Sequence, residues 1–97
     1  MTENDYGSLL TELGDGWEVI DTHHLEKTIL LKNFAEALTF TNQIGSIAEK
    51  EGHHPDIELG WGRVKIIIWT HKIDGLHKTD FVFAAKVDRI YAVLSKN

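Results

Sequence analysis

The segment Glu49-Lys50-Glu51-Gly52-His53-His54-Pro55 marks the point where the chain changes from helix to strand. Gly52 is the residue type that most often ends a helix in the left-handed conformation. Pro55, the only proline in the chain, favours an extended conformation for His54 and prevents the helix from resuming. Two adjacent imidazoles therefore stand at the junction of a helix and a sheet, and the flanking elements determine the fold.

The residues before this junction show helical periodicity. Asn33 is a favourable N-cap, and Glu36 can complete a capping box. Apolar residues then recur at the spacing of one buried helix face. The pattern predicts a helix that opens at Asn33 and ends at Gly52. Its apolar face comprises Phe34, Ala37, Leu38, Phe40, Thr41, Ile44, Ile47 and Ala48.

The residues after the junction favour two strands. Asp56 to Trp61 is predicted as the first, with Gly60 and Gly62 indicating a bulge or a tight turn around Trp61. Val64 to His71 is rich in β-branched residues and is predicted as the second. The alternation of this strand places Val64, Ile66, Ile68 and Thr70 on one face and Lys65, Ile67, Trp69 and His71 on the other.

The N-terminal third is predicted to contain a helix and a strand pair. Ser8 to Leu13 is predicted as a short helix. Trp17 to Ile20 and Leu25 to Leu31 are predicted as strands, because apolar residues alternate there and a polar connection separates them. His23 and His24 fall in that connection, and we expect them to be solvated loop residues.

The last element completes a regular order of helices and strands. Thr79 is expected to cap a final helix that carries Asp80 in its first turn. The order helix, two strands, helix, two strands, helix predicts a single α+β domain over residues 1–97. We expect two layers, a four-stranded antiparallel sheet with helices packed on one face. The seam of the last helix comprises Phe83, Val87, Ile90 and Leu94.

Composition and charge exclude several classes of protein. Hydrophobic residues make up 42% and charged residues 26% of the 97 residues, which is ordinary for a globular domain. The net charge of −5 and the absence of a basic cluster argue against nucleic acid as a direct ligand. The chain has no cysteine, and its apolar runs are too short to span a membrane. The N-terminus does not resemble a signal peptide, so we expect a cytoplasmic protein.

The histidines His53, His54 and His71 allow three interpretations. They could be structural residues, since buried histidines often only form hydrogen bonds and take no part in chemistry. They could bind a metal, but adjacent histidines diverge in an extended segment, and no cysteine or helical His pair is present. They could also perform acid–base catalysis, because imidazole both donates and accepts protons near neutral pH. The residues alone do not decide between these interpretations.

The order and spacing of these residues resemble a known enzyme signature. It reads Glu49, three residues, His53-His54-Pro55, five residues, Trp61, nine residues, His71, eight residues and Asp80. This pattern resembles that of the pterin-4a-carbinolamine dehydratases, and the likeness extends from about Leu25 to about Arg89. The resemblance implies a two-layer α+β fold and the dehydration of a 4a-hydroxytetrahydropterin to the quinonoid dihydropterin. No redox change occurs, so it implies no cofactor and no metal.

The resemblance also implies roles for individual residues. His53 and His71 would transfer the protons, and His54 would mainly contact the substrate. Asp80 would orient one imidazole, and Glu49 would hydrogen-bond the amino-pyrimidine edge. From the residues alone, Asp80 is equally well explained as a first-turn helix acid, and Glu49 as a solvated last-turn residue. The implied catalytic set is His53, His54, His71 and Asp80. The implied substrate contacts are Glu49, Gly52, His53, His54, Pro55, Trp61, Trp69, Thr70, His71 and Lys72.

The resemblance and the apolar pattern both predict partners. Ile67 and Trp69 lie on a strand face that should be polar if it faced solvent, which predicts a homotetramer or homodimer. The apolar face of the last helix is also wider than one buried seam requires. The residues that flank the seam are Phe81, Ala84, Ala85 and Tyr91. Some members of the family also serve as dimerisation partners of a transcription factor, which is the alternative function. No membrane partner is expected.

Overall fold

A computed structural model describes residues 3–95 and gives the element order helix, two strands, helix, two strands, helix. The predicted order and the α+β class are confirmed. None of the helices in this range is long and apolar enough to cross a membrane. The elements are α1 (Glu3–Thr11), β1 (Glu18–Ile20), β2 (His24–Leu30), α2 (Phe34–Glu51), β3 (Asp56–Gly60), β4 (Arg63–Ile68), a 3-10 turn (His71–Ile73) and α3 (Lys78–Ser95).

The four strands form one antiparallel sheet in the order β1-β2-β4-β3. Leu25 of β2 pairs with Ile68 of β4, and Ile57 of β3 pairs with Ile66. Side chains alternate along each strand, so these pairs place their apolar side chains on one face, which the helices cover. The core between the layers comprises Tyr6, Trp17, Leu25, Ile29, Ala37, Phe40, Ile44, Ala48, Val64, Ile66, Ile68, Leu76, Phe81, Phe83, Ala84 and Val87.

The two ends of α2 follow its sequence signals. The Oδ1 atom of Asn33 accepts a hydrogen bond from the backbone N–H of Glu36 at 2.9 Å. The Glu36 side chain accepts from the N–H of Lys32 at 3.1 Å, one residue before the cap. Gly52 ends the helix in the left-handed conformation, with φ 63°. This stop sets the direction in which His53 leaves the helix.

Strand β4 is shorter than its sequence predicts. The β-branched pattern predicts a strand to His71, but the ladder stops at Ile68. Both neighbouring strands begin at this end of the sheet, and β2 extends only one residue, His24, beyond its pairing with Ile68, so the ladder does not continue. Thr70 instead bridges to Gly75, its N–H donating to Gly75 O at 2.8 Å, and His71 begins a 3-10 turn. His71 therefore lies on a turn and not on a strand.

The first and last helices begin earlier than predicted. The sequence indicated Ser8 to Leu13, whereas α1 begins at Glu3. Tyr6, in its first half, stacks on Phe81 with ring centroids 6.4 Å apart, so tertiary packing extends the helix. α3 begins at Lys78, which places Thr79 inside the first turn and not at the cap.

The β1–β2 connection is tighter than predicted. Asp21 and Thr22 have φ values of 54° and 52°, and the N–H of His23 donates to Ile20 O at 2.9 Å. Left-handed φ at both central residues and this hydrogen bond are the features of a type I′ turn. Ile20 pairs with His24, so the connection comprises residues 21–23 and His24 already belongs to β2. The expectation of solvated histidines was wrong, since only 32% of the His23 side chain and 19% of the His24 side chain are exposed.

A half-buried carboxylate joins α3 to the sheet and to the segment after α1. Asp88 accepts hydrogen bonds from Lys27 Nζ at 2.9 Å, from Trp17 Nε1 at 2.9 Å and from the N–H of Gly14 at 2.8 Å. The Lys27 stem lies on the inner face of the sheet, as its position in the alternation indicates. The charge of Lys27 is compensated there, because Asp88 is its ion-pair partner.

The exposed apolar residues are not those on which the prediction of an oligomer rested. Phe81 and Ala84 of α3 are 3% and 0% exposed, because the chain itself covers them. Trp69 is half-buried against other rings of the same chain. In contrast, Phe34 and Leu38 of α2 are 45% and 41% exposed, although helical spacing predicted them in the core. These two exposed apolar side chains lie one helical turn apart on α2.

Candidate active site

Two segments of the chain line one cleft at the end of the sheet. Asp56 pairs with Ile67, so the residues just before Asp56 lie beside those just after β4. Antiparallel register thereby brings the end of α2 next to the 3-10 turn. The cleft has a volume of about 320 Å³ and is lined by Gly52, His53, His54, Trp69, Thr70, His71 and Lys72.

His53 is bonded to a buried carboxylate beneath the cleft. Its Nε2 lies 2.7 Å from Oδ1 of Asp80, and 18% of its side chain is exposed. The imidazole also packs on Phe83, with ring centroids 5.5 Å apart. A carboxylate accepts and cannot donate, so the Nε2 atom carries the proton of this hydrogen bond. The ring is thus fixed in orientation and tautomer.

Asp80 is fully buried and has a donor for each of its oxygens. In addition to His53, it accepts from Thr70 Oγ1 at 2.9 Å and from the N–H of His77 at 2.8 Å. The last bond is the helix-terminus interaction expected of an acid in the first turn of α3. One carboxylate therefore accepts from the backbone at the start of α3 and from the imidazole of His53.

His54 is held on the exposed side of the cleft. Its Nε2 lies 2.5 Å from Oε2 of Glu49, one turn back along α2. The side chains of His54 and Glu49 are 59% and 79% exposed. A pair this open to water is weakly constrained. His54 is therefore much freer to rearrange around a ligand than His53.

His71 lines the same cleft from the turn after β4. Its ring lies 4.4 Å from the ring of Trp69 and is tilted by 43°. Within residues 3–95, no side chain forms a hydrogen bond with its ring nitrogens. Both nitrogens are therefore accessible to a molecule in the cleft. His53 and His71 differ in this respect, because only His53 has a carboxylate partner.

A family model identifies the protein class to which this arrangement belongs. The model, described as pterin 4 alpha carbinolamine dehydratase, matches residues 1–90. The chain belongs to this family. The resemblance drawn from the spacing of Glu49, the histidines and Asp80 is therefore confirmed, and the family assignment places the chain among the hydro-lyases.

Individual members of the pterin dehydratase family match most of the chain. A protein of Alkaliphilus metalliredigens (strain QYMF), provisionally named pterin-4-alpha-carbinolamine dehydratase, is 55% identical over 89 residues, covering 92% of this chain and 80% of the relative. A Rubrobacter xylanophilus protein with the same provisional name is 60% identical over 75 residues, covering 77% and 70%. The crystal structure of a transcriptional coactivator/pterin dehydratase from Brucella melitensis has a TM-score of 0.86 at 31% identity, covering 93% of this chain and 96% of that chain.

The structure places the expected site residues of this family member in four different positions. Seven of them line the cleft. Asp80 lies beneath it, and Glu49 and Pro55 flank it through His54. Trp61 does not belong to the cleft of this chain. It is 74% exposed in the β3–β4 turn, at the opposite end of β4 and about 20 Å away at the rise of a strand.

Several residues around this cleft were not anticipated from the sequence. Phe83 supports His53 from the core, and the backbone N–H of His77 fixes Asp80. His23 and His24 contact Trp69, with ring centroids 5.4 and 6.1 Å apart. The pairing of β2 with β4 could have revealed the last contact, had the hairpin turn been correctly identified. Within residues 3–95, no three His, Cys, Asp or Glu side chains are arranged to hold a metal ion.

Proposed function

We propose that this protein dehydrates a 4a-hydroxytetrahydropterin to the quinonoid dihydropterin and water, as a step in tetrahydropterin recycling. The observation that supports this most directly is the bond between His53 and the buried Asp80, in a cleft also lined by His54 and His71. The reaction needs one proton donor and one proton acceptor. Imidazole serves both purposes near neutral pH, and each such transfer is typically worth about 10²–10⁴ in rate.

The hydrogen bonds of His53 support its role as the base. Its Nε2 proton is committed to Asp80, so Nδ1 carries the lone pair. In our proposal, Nδ1 accepts the proton from N5 of the pterin. The N5 electron pair then forms the N5=C4a double bond while the C4a–O bond breaks. Protonated His71 donates to the departing hydroxyl, which leaves as water, and exchange with solvent returns both imidazoles to their starting states.

The remaining cleft residues are assigned to substrate binding. A volume of about 320 Å³ lies at the small end of ligand sites, which run from about 300 to 1,000 Å³, and this suits a compact bicyclic ring. The Trp69 indole offers an apolar surface beside that ring, and Gly52, Thr70 and Lys72 line the cleft around it. Glu49 holds His54 with one carboxylate oxygen, and the other is assigned to the amino-pyrimidine edge.

A direct assay tests the proposal. Purified protein should accelerate conversion of a 4a-hydroxytetrahydropterin to the quinonoid dihydropterin with no added cofactor, and equally with a chelator such as EDTA. The chemistry is a dehydration without a change of oxidation state, so neither a redox cofactor nor a metal is required. An uncatalysed rate at micromolar protein would refute the proposal.

A protein-interaction role is the second candidate. It is favoured by the exposed Phe34 and Leu38, one helical turn apart on α2, and by the 31% identity to a protein described as a transcriptional coactivator/pterin dehydratase. Surface apolar patches of this kind often mark interfaces. This role would use α2 and not the cleft. Leu38→Asp should therefore impair binding of a protein partner without lowering dehydration in the assay above. Unchanged binding of a protein partner in Leu38→Asp would count against the interaction role.

A further inference from the structure

A second pair of adjacent histidines extends the ring contacts of the cleft. Nδ1 of His23 lies 3.0 Å from Nδ1 of His24, with the two rings nearly perpendicular. Both rings contact Trp69, with centroids 5.4 and 6.1 Å away, and Trp69 contacts His71 at 4.4 Å. The indole is thus held between a histidine of the cleft and two histidines outside it.

Strand register explains why these rings meet. Leu25 pairs with Ile68, so the next positions toward the hairpin turn bring His24 opposite Trp69. His24 is held in turn by Glu26, whose Oε1 lies 3.3 Å from Nε2. The indole therefore packs against a side chain that is fixed on the outer face of β2.

His23 also contacts the turn that carries His71. Its Nε2 lies 2.8 Å from Oδ1 of Asp74. Asp74 ends the 3-10 turn in the left-handed conformation, with φ 48°, and its N–H donates to the carbonyl of His71 at 3.2 Å. The hairpin of β1 and β2 is thus linked to the turn of His71 by one side-chain bond, independently of the contact through Trp69.

We infer that His23 and His24 are positioning residues for the reaction: His24 fixes the Trp69 surface of the cleft, and His23 fixes the turn that carries His71. The inference rests on the proposed dehydration. Neither histidine lines the cleft, so each acts through the residue it contacts. His23 also contacts the Trp69 indole, so its bond to Asp74 is tested on its own by changing Asp74.

The two roles predict different kinetic changes. His24→Ala removes the packing on the indole, so KM should rise about 3- to 10-fold with kcat nearly constant. His23→Ala removes one contact on the turn of His71, and because Asp74 is largely exposed, kcat should fall only about 2- to 5-fold. KM should also rise, because His23 contacts the indole. Asp74→Gly tolerates the left-handed conformation and should reproduce the kcat loss. The double change His23→Ala with Asp74→Gly should be no worse than either alone.

Controls separate positioning from folding. Thr28→Ala changes an exposed residue of β2, and we expect kcat and KM to stay unchanged. Asp74→Asn keeps an acceptor oxygen and a residue type that tolerates positive φ, so it should restore the activity lost in Asp74→Gly. The indole N–H signal of Trp69, assigned in ¹⁵N spectra with Trp69→Phe, should shift in His24→Ala and not in Thr28→Ala.

The outcomes are distinguishable. If the wild-type protein does not dehydrate the pterin, the proposed function fails. The Trp69 signal then still decides whether the histidines position the indole, and an unshifted signal overturns the inference. If the wild type is active and both alanine variants keep its kcat and KM, the inference is wrong. Should either alanine variant fail to fold, His23→Gln and His24→Gln replace them, and unchanged kinetics in Asp74→Gly would overturn the role of His23.

Discussion

Replacing the carboxylate of Asp80 by an amide tests the proposed chemistry at its best-defined point. Three donors meet this fully buried side chain, from His53 at 2.7 Å, Thr70 at 2.9 Å and the N–H of His77 at 2.8 Å. In Asp80→Asn the amide oxygen can still accept from Thr70 and His77. The amide nitrogen then faces His53 Nε2, and two donors cannot bond. His53 must therefore change tautomer, with its proton on Nδ1.

The expected loss follows from that change. With Nδ1 protonated, His53 cannot accept the N5 proton, so kcat should fall by about 10²–10⁴ while KM changes little. Stability should fall by about 1.5–3 kcal/mol, the range for a hydrogen bond to a charged group. Asp80→Ala is a poorer choice, because three part-buried donors would lose their acceptor, at up to about 1–3 kcal/mol each. That sum approaches the whole stability of a small domain, about 5–15 kcal/mol.

The chain supplies a matched control for this experiment. Asp88 also accepts from three donors, Lys27, Trp17 and Gly14. It lies eight residues along α3 from Asp80, about 12 Å at the rise of a helix. Asp88→Asn should lower stability to urea by a similar amount and leave kcat unchanged. The measurements are dehydration kinetics, urea unfolding and the ring ¹⁵N shifts of His53. Wild-type kcat in Asp80→Asn, or an unchanged tautomer of His53, would refute the reasoning.

Three further predictions concern the histidines, the assembly and the hairpin. His53→Ala and His71→Ala should each lower kcat by about 10²–10⁴, and their effects on kcat should not be additive in the double variant. His54→Ala should mainly raise KM. The reverse pattern in steady-state kinetics would exchange these roles. Light scattering at micromolar concentration should give the mass of a dimer or tetramer, and a value near 11.0 kDa would contradict it. Thr22→Gly should stabilise the protein by about 0.5–1 kcal/mol in urea unfolding. The change removes left-handed strain of about 1–2 kcal/mol at φ 52°, and the conformational entropy of glycine costs about 0.5–1 kcal/mol. Lower stability would show that the turn is not strained.

Local sequence signals determined most of the elements of this protein. Asn33 and Gly52 specify the ends of α2, because a capping oxygen and a left-handed glycine act within one turn of the helix. The β-branched run after Val64 specifies β4. The spacing of the histidines and Asp80 was enough to indicate the family. These signals act between residues that are close in the sequence, so they can be predicted from the sequence alone.

Tertiary structure decided what each site residue contacts. Asp80 could be a capping acid or a partner of His53, and only packing across 27 residues of sequence makes it both. Register removed Trp61 from the cleft and brought His24 to Trp69, because a strand pairing fixes contacts between residues far apart in the chain. Such contacts depend on where a strand begins, and the turn at Asp21 and Thr22 sets the start of β2 at His24. The sequence alone indicates which histidines belong to the site, and the fold determines that His53 is the one bonded to the buried Asp80.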